Sequence, residues 1–138
     1  MNKYSITLCI GLMLSIQALI ADVRLPQIFA NGMVLQRNQP IAVWGWADPG
    51  EQVKVGLNTQ QQETTANADG TWKLTLSAEE AGGPFQLVVS GKNTLTLSDV
   101  LIGEVWICSG QSNMQWTVAN SDRAEQEIAG ANYPQIRQ

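Results

Sequence analysis

Turn chemistry interrupts the chain at intervals of roughly 8–12 residues between Leu25 and Asp99, and that spacing restricts the fold more than any other feature. The segment "PIAVWGWA" (40–47) sets Ile41, Val43 and Gly45 against Ala42, Trp44 and Trp46, the period of a strand. It runs into Asp48-Pro49-Gly50. Proline presets φ at the first corner of a tight turn and glycine supplies positive φ at the second. "QVKVGL" then places Val53, Val55 and Leu57 on one face. "QQETTANADGTWKLTL" predicts two strands joined as a hairpin at Asp69-Gly70, with Trp72, Leu74 and Leu76 sharing a face. "FQLVVSG" and "NTLTLSDV" predict two further strands around Gly91. Six or so short strands, with no helical period and no internal repeat, imply a small all-β antiparallel sandwich of the Ig-like kind. Each sheet would be wet on one face.

The first residues read differently. "MNKYSITLCIGLMLSIQALIA" has one early cation, Lys3, an apolar stretch over about 6–16, and then small residues. That order is the order of a secretory signal peptide, with cleavage expected after Ala21 or Ala18. The apolar stretch is shorter than the roughly 20 residues of a membrane span, so no span is expected once the leader is removed. An uncleaved N-terminal anchor is the alternative. A lipoprotein is not expected, because Cys9 lies inside the apolar run. The expected location is therefore periplasmic or extracellular. Cleavage after Ala21 removes Lys3 and Cys9, leaving Cys108 with no disulfide partner; its apolar surroundings predict buried packing. The formal net charge of -4, with no basic patch or stripe, argues against nucleic-acid binding.

Beyond Asp99 the pattern changes. "VLIGEVWIC" (100–108) is nearly continuously apolar, as in a strand buried on both faces of a parallel sheet. "SGQSNM" (109–114) reads as a turn. "SDRAEQEIAGAN" (121–132) predicts a helix, with Ser121 or Asp122 as its cap, Glu125 in a capping box and Gly130 as its end. "YPQIRQ" begins another extended segment. Strand, turn, helix and strand make a βαβ opening that lacks sheet neighbours, so a truncated second domain is expected. The organisation is thus residues 1–21 leader, 22–98 sandwich, and 99–138 an incomplete α/β domain.

Ser112 stands where open α/β sheets place their ligands, past the carboxyl end of the apolar strand. Gly110 permits a sharp turn and close approach by a substrate. The G-x-S triplet alone is weak, since a serine that bonds its own turn fits it as well. It is not a nucleophile elbow either, because Met114 replaces the second glycine of G-x-S-x-G. A serine also needs a base, and the chain contains no histidine. Asp99 and Glu104 flank the strand and are read as solvated strand ends rather than bases.

The longer string "LIGEVWICSGQSNMQW" (101–116) resembles the nucleophile block of the sialate O-acetylesterase family, within the SGNH (GDSL-like) hydrolases. "NGMVLQR" and "PIAVWGWADPGEQVKV" resemble the β-sandwich that precedes the hydrolase domain in that family, and "EIAGANYPQIR" its first helix and second strand. The resemblance implies a flavodoxin-like α/β hydrolase domain beginning near residue 99. It implies Ser112 as nucleophile and backbone oxyanion donor, framed by Gly110, Gln111 and Asn113. It further implies hydrolysis of acetyl esters on an O-acetylated sugar or sialoglycan through an acetyl-enzyme, with no metal and no organic cofactor. The family's Asp, His and remaining oxyanion donors fall in blocks that these residues do not include, so the 138 residues alone are expected to be inactive. The alternative is a non-catalytic exported sandwich that binds glycan or protein. Trp44 and Trp46 could stack on sugar, but core and edge packing is the favoured reading, with the sandwich as scaffold.

Overall fold

The structure is a computed structural model that describes residues 22–137; the expected leader, residues 1–21, lies outside them. Seven strands appear among the described residues: β1 (Val34–Gln36), β2 (Ile41–Trp46), β3 (Gln52–Leu57), β4 (Gln60–Thr65), β5 (Thr71–Leu76), β6 (Gly82–Ser90) and β7 (Thr94–Gly103). One sheet has the order β1-β7-β6-β3-β4, and the other pairs β2 with β5. All pairings are antiparallel except β1 with β7. Both sheets turn their apolar rows onto one core. Ile41 and Val43 meet Trp72, Leu74 and Leu76 from the small sheet, and Val53, Val55, Leu57, Leu87, Val89, Val100 and Ile102 come from the large one. The period-two pattern decides this directly, because residues two apart share a face.

The turns follow local chemistry. Gly50 has φ +78°, and the N–H of Glu51 donates to the Asp48 carbonyl at 2.9 Å, closing the turn expected at Asp48-Pro49-Gly50. Asn58, at φ +53°, makes the tight connection between β3 and β4. The Asp69-Gly70 turn also forms, but its two strands are not partners. β4 pairs with β3 in the large sheet and β5 with β2 in the small one, so the expected hairpin is instead a crossing between sheets. The reason lies in composition. The residues of β4 are entirely polar and suit the exposed edge beside β3, whereas the apolar row of β5 is completed by Ile41 and Val43 of β2.

β7 carries a bulge. Phe85 faces Val100 and Leu87 faces Leu97, so β7 spends one more residue than β6 over the same distance. The extra residue falls at Ser98–Asp99, where Asp99 has φ +58°. The shift moves the alternation from Leu95 and Leu97 to Val100 and Ile102 and keeps both pairs on the core side. β7 ends at Gly103, held against β1 by pairing of Leu101 with Val34 and Gly103 with Gln36. The single strand expected over 100–108 is therefore divided. Its first four residues complete the large sheet, and 104–111 leave it without regular structure.

The remaining chain forms α1 (Ser112–Gln115), a 3-10 turn at Val118–Asn120 and α2 (Ala124–Gly130). The helix expected after residue 121 is present and ends at Gly130, but its cap differs from the expectation. Arg123, at φ +55°, is the capping residue, with no side-chain capping bond. Ser121 is engaged elsewhere, its Oγ accepting from the Trp116 indole N–H at 3.0 Å. Glu125 and Glu127 lie in the first turn, where carboxylates complement the helix dipole. Residues 133–137 form a turn and coil rather than a strand.

Candidate functional site

Ser112 is the first residue of α1, one turn of helix preceded by Gln111. The Gln111 carbonyl accepts from the N–H groups of Met114 (2.9 Å) and Gln115 (3.3 Å). Gly110 has φ +151°, so the chain reverses there as the sequence requires, and a Cβ at this position would press within 3.3 Å of Met114 Cγ. Gly110, Gln111, Ser112 and Asn113 thus form one contiguous exposed turn. The Ser112 hydroxyl has no hydrogen-bond partner among the described residues. Without a base at hydrogen-bond distance, an alcohol remains a poor nucleophile.

The two carboxylates that flank the apolar strand, Asp99 and Glu104, have other partners. The Arg37 guanidinium reaches Glu104 at 3.2 Å, and the Gln36 amide donates to the same carboxylate at 3.1 Å. The Gln36 side-chain oxygen accepts the N–H of Val105 at 2.9 Å. This cluster fixes the point where the chain leaves the β1–β7 pair. Asp99 is held by Arg137, whose guanidinium donates to the Asp99 carboxylate (3.0 Å), the Asp99 carbonyl (2.6 Å) and the Gly32 carbonyl (2.9 Å). The serine-bearing segment is therefore pinned at both ends, by Glu104 and by Arg137. Sequence reasoning missed the Arg137 clamp; its only signal was an arginine far along the chain from any acid it could reach locally.

Between those pins the apolar residues are uncovered. Trp106 is 82% exposed and Ile107 94%, while Met114, Trp116, Val118 and Ile128 are also exposed. Cys108 is exposed too, against the expectation of buried packing. The cause is the early end of β7, since residues 105–108 gain no sheet neighbour. Among the described residues, no group of three His, Cys, Asp or Glu is placed to hold a metal. No helix among them is long and apolar enough to cross a membrane.

The tryptophans divide between two roles. Trp72 is buried in the core, and its indole N–H is without a partner among the described residues. Trp44 and Trp46 instead lie on the outer side of β2, 39% and 40% exposed. Trp44 meets Phe29 edge-on, with ring centroids 4.9 Å apart, and the Arg24 guanidinium sits 5.9 Å from the Trp46 ring centroid. Trp44 and Trp46, expected to pack at the core or edge, are each supported on one side, by Phe29 and Arg24, and remain partly exposed.

Two titratable groups are shifted. Hydrogen bonds from the Thr71 hydroxyl and N–H hold the Asp69 carboxyl below its ordinary value. A hydrogen bond to Asp48 holds the Lys92 ammonium above its own, aided by the charges of Asp48, Glu51 and Asp22. Both groups brace turns of the sandwich.

Comparison with known proteins gives a consistent result. The chain is 41% identical over 122 residues to human (Homo sapiens) sialate O-acetylesterase, the match covering 78% of this chain and 23% of that protein. It is 40% identical over 121 residues to the mouse (Mus musculus) sialate O-acetylesterase, covering 78% and 22% respectively. Among solved structures, a carbohydrate acetylesterase from Xanthomonas citri superposes with a TM-score of 0.76 at 42% identity, over 81% of this chain and 26% of that one. No family model matches. The chain spans about a quarter of the length of these relatives.

Proposed function

We propose that this chain, a sialate O-acetylesterase homologue at about 40% identity over 78% of its length, supplies the nucleophile of an exported carbohydrate O-acetylesterase. The observation that carries the reading is the identity of those relatives, an acetylesterase of sialate and one of carbohydrate. The "GQSNM" turn, with Ser112 exposed at its centre, supports it. The sandwich, which β7 completes at Gly103, acts as a scaffold, and the residues after it open an SGNH-type hydrolase domain.

In the proposed reaction, Ser112 Oγ attacks the carbonyl carbon of an acetyl group on a sugar hydroxyl. The hydroxyl proton passes to a base, and the tetrahedral oxyanion draws on the Ser112 backbone N–H. Collapse breaks the bond to the sugar oxygen, which takes the proton back and leaves as the free hydroxyl. Water then attacks the acetyl–serine ester, releasing acetate and restoring Ser112. The chain has no histidine, and the carboxylates flanking the strand before the serine, Asp99 and Glu104, are engaged by arginine. The base and its orienting acid are therefore assigned to parts of the protein outside these residues, and the 138 residues alone are expected to be inert. Gly110 and Gln111 shape the turn that presents the serine.

The test is acetate release from O-acetylated sialic acid by the full-length protein in which these residues sit. Ser112→Ala is expected to lower kcat by about 10⁴-fold or more, with an unchanged circular-dichroism spectrum. Retained activity in that variant overturns the assignment.

A further inference from the structure

The outer face of β2 and β5 carries chemistry that acetyl transfer at Ser112 does not use. Trp44 and Trp46 project from the same side of β2, and β5 sets Lys73 opposite Trp44 and Thr71 opposite Trp46. An open hollow of about 410 Å³ lies over this face, lined by Trp44, Trp46, Asn67, Thr71 and Lys73. That volume falls within the range of small-ligand sites and suits one or two sugar rings.

We propose that this face is a binding subsite for an acidic pyranose at the end of a glycan. The indoles would take the apolar C–H side of the ring, and Lys73 would take its carboxylate. Aromatic side chains bring large contact area at little conformational cost, and these two are already braced, Trp44 by Phe29 and Trp46 by Arg24. Arg24 and Lys73 put two cations beside the hollow on a chain whose formal charge is -4. Lys73 makes no ion pair among the described residues, so its charge is available. Asp69, the acid beside Thr71, is engaged by the Thr71 N–H (2.9 Å) and hydroxyl (2.7 Å). Asn67 donates its amide to the Thr71 hydroxyl at 3.1 Å, leaving its side-chain oxygen to accept from a sugar hydroxyl. Relatives named for acetylesters of sialate and of carbohydrate make a glycan the fitting occupant. The subsite involves no bond making or breaking and stands independently of the role of Ser112.

The test titrates 3′-sialyllactose and lactose into the 138-residue chain, reading tryptophan fluorescence and indole N–H resonances. Sialyllactose is expected to saturate with a dissociation constant of about 1 mM, and lactose to bind about tenfold more weakly. Lys73→Gln should bring sialyllactose down to the lactose level without altering lactose binding. Trp46→Leu should abolish both responses while its thermal melt matches the parent. The proposal is overturned if neither sugar gives a saturable response at about 20 mM, if the two sugars bind equally, or if Trp46→Leu still binds. It is equally overturned if the variants change only the association state of the chain, which would mark the face as a protein contact.

Discussion

Glu51 is the one buried charged residue of the sandwich among those described, and its removal should be felt sharply. One carboxylate oxygen accepts the N–H of Asp48 at 3.0 Å and the other accepts the N–H of Lys92 at 2.6 Å. Glu51 thereby ties the β2–β3 turn to the β6–β7 turn. A hydrogen bond to a charged group is worth about 1.5–3 kcal/mol net. Both donors lie in half-exposed turns that water can partly reach, so Glu51→Ala should cost about 2–4 kcal/mol in total. Gly91 packs directly on this carboxylate; a Cβ there would overlap Glu51 Oε1 and Val23 Cγ2. Overpacking of that kind costs about 1–3 kcal/mol. With Glu51 already replaced by alanine, one of the two obstructions is gone, and the Gly91→Ala penalty should fall by about 1 kcal/mol. Urea unfolding of the parent, both single variants and the double variant measures all of this. A Glu51→Ala cost below about 0.5 kcal/mol would refute the two-bond account. A Gly91→Ala penalty that is the same in both backgrounds would refute the contact.

Three further outcomes are expected. Asp69 is held below its ordinary value of 3.8, so its contribution to stability is present above that pH and disappears as pH falls through the lowered value. Thr71→Val removes the leading donor and should raise the Asp69 titration midpoint in a carboxyl NMR titration; an unmoved midpoint contradicts the assigned cause. For Lys92, held above 10.5 by Asp48, the sign reverses: its contribution is present below that pH and disappears as pH rises through the raised value. Asp48→Asn should move the Lys92 midpoint down, read from its side-chain resonances. Arg137→Ala should speed proteolysis within 104–136 while changing the sandwich melt little, since exposed ion pairs contribute about 1 kcal/mol or less; an unchanged cleavage rate would show that Arg137 pins nothing.

The legible parts of this fold are those decided by adjacent residues. Asp48-Pro49-Gly50 closes as written, because proline and glycine set both corners by themselves. The apolar rows of β2, β3 and β5 reach the core because alternation leaves them no other face. Pairing was less legible. Asp69-Gly70 announces a turn equally well whether its strands bond to each other or to different sheets, and only the polar character of β4 hinted at the second. The end of β7 was hidden for a similar reason. Val100, Ile102 and Ile107 look alike in one apolar run, and the bulge at Asp99 with the Gln36–Glu104–Arg37 cluster decides where the sheet stops. At the candidate site, the exposed Ser112 turn could be read from Gly110 and its neighbours. The Arg137 clamp could not, since it joins residues 38 apart in sequence through a guanidinium. Trp44 and Trp72 differ in burial only through strand phase, which composition does not reveal.

The central claim is that Ser112 becomes covalently acetylated during turnover. Its most direct test is rapid quenching of the full-length protein with an activated acetyl ester, followed by peptide mass spectrometry. The account predicts one added acetyl group on the peptide containing Gln111-Ser112-Asn113, and none in Ser112→Ala. Acetylation of a different residue during turnover, or an acetylated peptide that persists in the Ser112→Ala protein, would contradict it.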